Sequence, residues 1–261
     1  MRDNPWRRLV TYLLTTFAIS WICWGATALL VHFTSLRATE IPAMALFVLG
    51  GFGPTIAACV CLPGGFSWKN LAHFLTRRAP HAALYFLLCA LLEVAAFWLS
   101  SHGWSAPADS AGTSLIAIVS IFLVVTLVAG GNEEWGWRGI MLPLLARRFH
   151  NFIAPDLVAA LVVGAVWACW HIPLWWIDGN PHQGSSFAAF ALTSFALSAW
   201  LGLLVAFTRS VLWCMVFHGT ANTLMTVFPP ADDMRHHLVI AVWFLLAIPA
   251  YYVFQRVART L

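Results

Sequence analysis

The sequence predicts an all-α, polytopic membrane protein of about eight transmembrane helices, with an intramembrane cavity facing the cytoplasm. Three observations predict the membrane fold. Hydrophobic residues make up 61% of the 261 positions and charged residues only 9%, against roughly 25% charged in ordinary soluble domains. Eight apolar runs are each about long enough to cross ~30 Å of hydrocarbon. The basic residues between those runs alternate regularly from one loop to the next.

The runs are 9–33, 41–62, 81–101, 114–148, 155–177, 187–208, 210–228 and 237–256. The first is too long for a signal peptide's apolar core and lacks a small-residue cleavage site, so it reads as a span. Gly50-Gly51-Phe52-Gly53-Pro54, in the second, permits close helix contact and a kink. Between the second and third runs, Pro63 to Pro80 carries Trp68, Lys69, Leu71, Phe74, Leu75, Arg77 and Arg78, the pattern of a short amphipathic helix at the interface. The fourth run is too long for a simple crossing. The six cysteines lie within apolar runs without a CxxC pair, as small packing residues rather than a metal knot. No stretch is polar enough for a separate soluble domain, so residues 1–261 read as one transmembrane unit. Nothing in the composition suggests nucleic-acid binding.

Loop charge sets the orientation. Arg2, Arg7, Arg8, Lys69, Arg77, Arg78, Arg147, Arg148, Arg209, Arg256 and Arg259 fall on one side, and only Arg37 and Arg235 on the other. Both termini are therefore expected in the cytoplasm, with a bacterial inner membrane as the expected location.

Within the fourth run stands Gly131-Asn132-Glu133-Glu134-Trp135-Gly136-Trp137-Arg138-Gly139. Charge at membrane depth is costly, and it marks function by default. On a helix, Glu134 and Arg138 share a face with the acid N-terminal, the favourable order for a pair. Glu133 lies about 100° round the helix and stays free as a general base. His171 occurs late in the fifth run, where Pro173 removes a helix hydrogen bond and bends the chain. His218 and Asn222, in the seventh, share one helix face. Glu93, mid-way through the third, reads as a neutral acid bonded to a backbone carbonyl or as a supporting partner. His236 and His237 read as solvated residues of a polar loop.

Taken together, these residues resemble the CPBP family of CAAX-protease and bacteriocin-processing membrane endopeptidases. Glu133-Glu134-x-x-x-Arg138 matches its first motif. Trp167-x-x-x-His171 matches the second, with Trp where Phe is usual, and His218-x-x-x-Asn222 matches the last. Gly53-Pro54-Thr55-Ile56-Ala57-Ala58 is similar to the family's second-helix pattern, so the family-like core runs from about residue 50 to 222. The resemblance implies an eight-helix core opening to the cytoplasm and a type II CAAX prenyl endopeptidase-like activity on a peptide or membrane-protein substrate.

The expected mechanism is hydrolysis by activated water. Glu133 and His171 hold and deprotonate the water, His218 and Asn222 donate to the oxyanion, and Glu134 and Arg138 support Glu133. Glu133, His171 and His218 also form a His₂Glu set of the kind that binds zinc, but no HExxH motif accompanies them, and a mechanism without a cofactor is preferred. Two rivals stand beside hydrolysis. One is a non-catalytic scaffold or immunity-type protein that binds a partner through the same cavity. The other is a haem protein with His171 and His218 as axial ligands. Spacing along the fourth and fifth runs predicts a hairpin turning near Asn151-Phe152. That hairpin is expected to form the rim of a cavity walled by the fourth, fifth and seventh runs.

Overall fold

A computed structural model describes residues 4–101, 114–229 and 234–260, so Arg2, Asp109, Asp232 and Asp233 lie outside the described residues. Among the described residues the chain is helical, without strands. In order, the helices are α1 (Pro5–Phe33), α2 (Ile41–Gly51), α3 (Gly53–Val60), α4 (Trp68–Thr76), α5 (Ala82–Ser100), α6 (Leu115–Leu127), the single turn α7 (Glu134–Gly136), α8 (Leu142–Arg148), α9 (Pro155–Trp170), α10 (Phe187–Thr208), α11 (Val211–Val227) and α12 (Met234–Thr260).

The eight apolar runs each find their helix. Six segments are long and apolar enough to cross a membrane, and α2 with α3 makes a seventh, bent by 46°. α11 is apolar but shorter, at 17 residues. The bend falls at Phe52, within the glycine cluster. The ring of Trp24 occupies the space a side chain at Gly50 would fill, and the Ser20 hydroxyl and Thr16 carbonyl lie against Gly53. α1 can therefore lie directly on the kink. Trp24 Nε1 donates to the Phe47 carbonyl at 2.9 Å, and Ser20 Oγ donates to the Gly50 carbonyl at 2.6 Å.

The amphipathic segment between the second and third runs is α4. Ser67 caps it by accepting from Asn70 N at 3.1 Å, and Leu71 and Phe74 are buried while Trp68 is exposed. The over-long fourth run is broken rather than continuous. α6 ends at Leu127, a 3₁₀ turn covers Gly131–Glu133, and a π-helical turn covers Trp137–Met141 before α8. The break turns at Gly130, whose φ of 139° is reached readily only by glycine.

Two expectations change here. His236 and His237 belong to the first turn of α12 rather than to a loop, and His236 faces the main cavity. Glu93 is fully buried in α5, but neither carboxylate oxygen has a hydrogen-bond partner among the described residues, so the expected backbone bond is not formed. The six cysteines are unpaired.

α6 and α11 pack closely enough that Gly219 meets Thr126: a Cβ at Gly219 would strike Thr126 Oγ1 and lie 2.9 Å from its Cβ. Gly219→Ala is therefore expected to destabilise the fold by about 1–3 kcal/mol, as overpacking does. A Cβ at Gly25 would have nothing within 4 Å, so Gly25→Ala is the control. Thermal midpoints in detergent should fall for the first and not for the second.

Candidate active site

The broken fourth span lays its polar residues against α9 and α11. Its own anchoring comes from Asn132, which the sequence reading left without a role. Asn132 Oδ1 accepts from Gly130 N at 3.1 Å, its carbonyl accepts from Thr55 Oγ1 at 2.7 Å, and its amide donates to the Gly51 carbonyl at 3.4 Å. The kinked second span thus holds the turn that carries Glu133. No local sequence signal marks these bonds, because they join residues 77 and 81 positions apart.

The adjacent carboxylates separate as the helix geometry predicts. Glu134 Oε1 accepts from Arg138 Nη1 at 3.0 Å, with both side chains fully buried. The same oxygen lies 2.8 Å from His218 Nδ1. Arg138 also places its guanidinium 5.4 Å from the centre of the Trp167 ring, a cation–π distance.

Glu133 has other partners. Its Oε2 accepts from Trp167 Nε1 at 2.7 Å and from Trp137 Nε1 at 3.3 Å. Its Oε1 has no hydrogen-bond partner among the described residues, and Glu133 lines the main cavity. Trp167 is the hub of the site. Besides donating to Glu133, its ring meets His171 edge-on at 5.5 Å and His218 edge-on at 5.2 Å. At this motif position a Phe would fill the same space without donating a hydrogen bond.

His171 sits where α9 gives way to a 3₁₀ turn over Ile172–Trp176, with Pro173 at its start as expected. Its Nδ1 is 2.8 Å from the Trp167 carbonyl. A carbonyl only accepts, so Nδ1 carries the proton and Nε2 presents a lone pair. His218 follows the same logic: the Glu134 carboxylate faces Nδ1, which leaves Nε2 on the side of Gly130. Asn222 uses one amide hydrogen on the Ala129 carbonyl at 3.0 Å and keeps the other.

Glu133, His171, His218 and Asn222 all line one cavity of about 680 Å³, the size of a small-molecule or peptide pocket. Trp24, Phe47, Val48, Leu174, Phe190 and Leu197 form its apolar wall, and Ser185, Ser186, Thr193 and Ser194 bring hydroxyls. Its mouth includes Pro181 and His182. His182 packs among Trp175 at 4.7 Å and Phe190 at 4.9 Å, and burial there holds its imidazole below the ordinary range. The loop is tied to α1 by His32 Nδ1, 3.0 Å from Asp178 Oδ2. The bonds from His32 and Gln183 hold the Asp178 carboxyl below its usual range.

The hairpin at Asn151-Phe152 forms between α8 and α9, as expected, but it is not the rim. None of Arg147 to Ile153 lines the cavity. The cavity occupies the opposite half of the bundle, because Trp137 to Leu142 and the buried stretch of α10 from Ala196 to Val205 fill the half beside the hairpin.

No group of three or more His, Cys, Asp or Glu among the described residues converges as a metal site.

Two comparisons bear on these motifs. Residues 114–224 match the model of a family described as Type II CAAX prenyl endopeptidase Rce1-like. A protein of Methanococcus maripaludis named CAAX prenyl protease 2 is 24% identical over 243 residues, covering 86% of this chain and 86% of that protein. The resemblance read from the motifs is thus shown by both, and the matched region contains all three motifs.

Two predictions follow from the separate roles of the carboxylates. Removing Arg138 leaves Glu134 as a buried carboxylate without its cation, which costs on the order of 3–5 kcal/mol. Arg138→Ala should therefore lower the yield of monodisperse protein on size exclusion, while Glu133→Gln should not. Trp167→Phe keeps a ring but deletes a hydrogen bond to a carboxylate, worth about 1.5–3 kcal/mol. Turnover should fall by about tenfold or more at near-normal yield, and unchanged turnover would remove Trp167 from the positioning of Glu133.

Proposed function

We propose that this type II CAAX prenyl endopeptidase-like chain is an intramembrane peptidase. In this reading it hydrolyses a peptide bond of a membrane-associated protein or peptide with a water activated by Glu133. One observation carries the proposal. Of two adjacent buried carboxylates, Glu134 is held by Arg138 and His218, whereas Glu133 keeps one oxygen unbonded at a cavity shared with two imidazoles. A site built only to bind has no need of that division.

The steps in this reading use the side chains that line the cavity. Water sits between Glu133 Oε1 and His171 Nε2, and both can accept its protons. As its oxygen attacks the scissile carbonyl carbon, Glu133 takes one proton. The carbonyl oxygen becomes an oxyanion facing donors from His218 and the second amide hydrogen of Asn222. For His218 to donate from Nε2 while Nδ1 also carries a proton, the imidazole must be cationic, and the Glu134 carboxylate is the counter-charge for that form. When the C–N bond breaks, the proton held by Glu133 passes to the leaving amine, and the products are a carboxylic acid and an amine. No serine or cysteine takes part.

The test is Glu133→Gln, which keeps shape and the acceptor for Trp167 but removes the base. Membrane proteomics should show a substrate accumulating uncut in the variant and restored to its cleaved form by the wild-type gene. If the variant supports the full phenotype with no accumulating species, the cavity binds a partner rather than cutting one.

A further inference from the structure

The cavity lies at a defined end of the bundle, and that end is the one poor in basic residues. From the mouth inward it is lined by Pro181, His182 and Ser186 of the loop before α10, by His236 in the first turn of α12, and by Asn222 in the latter half of α11. Along α10 the lining runs from Ser186 to Leu197, about 16 Å at 1.5 Å per residue. Beyond Leu197 the same helix is buried continuously to Val205, so the cavity has a floor and does not run through. At its mouth the last turn of α1, just before the 34–40 connection, is joined to the 177–186 connection by the contact of His32 with Asp178. The opposite end holds Asn4 before α1, the α4–α5 connection, the 149–154 hairpin, the α10–α11 turn and the last turn of α12. There Ala79 N donates to the Thr208 carbonyl at 2.6 Å.

Among the described residues, ten Lys and Arg side chains belong to that closed end, and only Arg37 and Arg235 to the open one. Basic loops are retained in the cytoplasm. We infer that the cavity opens to the non-cytoplasmic face of the membrane, reversing the expectation of a cytoplasmic mouth. Its substrate is then an apolar segment of a translocated chain, such as the outer end of a membrane-spanning or exported peptide. Such a segment enters past His182 and meets Glu133 from outside. This description of the substrate rests on the peptidase reading; the direction of opening does not.

The experiment is thiol labelling in intact cells with a membrane-impermeant maleimide, with wild-type protein giving the background of its native cysteines. Ser186→Cys places a thiol at the mouth and Asn151→Cys places one at the hairpin tip. Ser186→Cys should label in intact cells, and Asn151→Cys only after permeabilisation. Protection of Ser186→Cys in intact cells, relieved by permeabilisation, overturns the inference. If Ser186→Cys fails to accumulate, fusions of the full chain after Leu261 decide the matter: a fluorescent protein should fold there and alkaline phosphatase should stay inactive. Active phosphatase at that terminus overturns the inference as surely. Labelling reads topology alone, so Glu133→Gln should label as the wild type does. Failure of the peptidase reading would leave this result standing, and the converse also holds.

Discussion

The buried pairing of Glu134 with Arg138 is the constraint to which the rest of the site conforms. Two opposite charges with no exposure face a desolvation penalty that their mutual attraction repays only when geometry is good and other bonds are supplied. Helical spacing provides the geometry, since residues four apart share a face. The other contacts come from elsewhere in the chain: His218 from α11 adds its Nδ1 to the same carboxylate oxygen, and Trp167 from α9 offers a ring face to the guanidinium. Each partner that steadies the pair is also a wall or a working group of the cavity. Losing the pair would therefore disturb three helices at once.

The same packing explains why the fourth span is broken. A continuous helix through Gly130 would carry the chain past the site. Instead Gly130 adopts a φ of 139°, and a Cβ there would strike Asn222 Nδ2 and lie 3.1 Å from His218 Nε2. The turn needs both the left-handed backbone and the absence of a side chain. Asn132 then fastens the turn to the kink between α2 and α3, so the two irregular spans brace one another.

What the sequence made legible was local. The pairing of Glu134 with Arg138, the kink at Gly50 to Pro54, the departure from a straight helix at Pro173 and the amphipathic α4 all follow from spacings within about one or two turns. The motif residues Glu133, His171, His218 and Asn222 were legible because polar groups are scarce in an apolar chain and stand out. Long-range contacts were not legible. The Trp167 bond to Glu133 spans 34 positions and the His218 contact with Glu134 spans 84, and no periodicity encodes either. The hairpin was misread as the rim of the cavity for a related reason. Counting residues from the hairpin tip places Glu133 along the membrane normal, but side-chain packing around Leu142 and along α10 decides which half is filled.

Hydrolysis consumes water, so a peptidase cavity has to admit solvent and an apolar peptide together. The two walls divide that work. On one side α1 and α2 present Trp24, Phe47 and Val48, a surface that favours apolar side chains through burial. On the other, Ser185 and Ser186 just before α10, and Thr193 and Ser194 within it, set hydroxyls among Phe190 and Leu197. Three of those hydroxyls are already engaged, Ser185 on the His182 carbonyl, Ser186 as the helix cap and Thr193 on the Ala189 carbonyl, yet each retains capacity to bind a water. The hydroxyl wall lies on the same face of the cavity as His182, and the imidazole of His171 is 6.3 Å from it, centre to centre. In the peptidase reading, water following α10 would arrive at the histidine whose Nε2 lone pair is unengaged, and a peptide against α1 and α2 would turn its carbonyl toward His218 and Asn222. Separate approaches for water and peptide would then let the nucleophile reach one face of the scissile carbonyl while the oxyanion donors meet its oxygen.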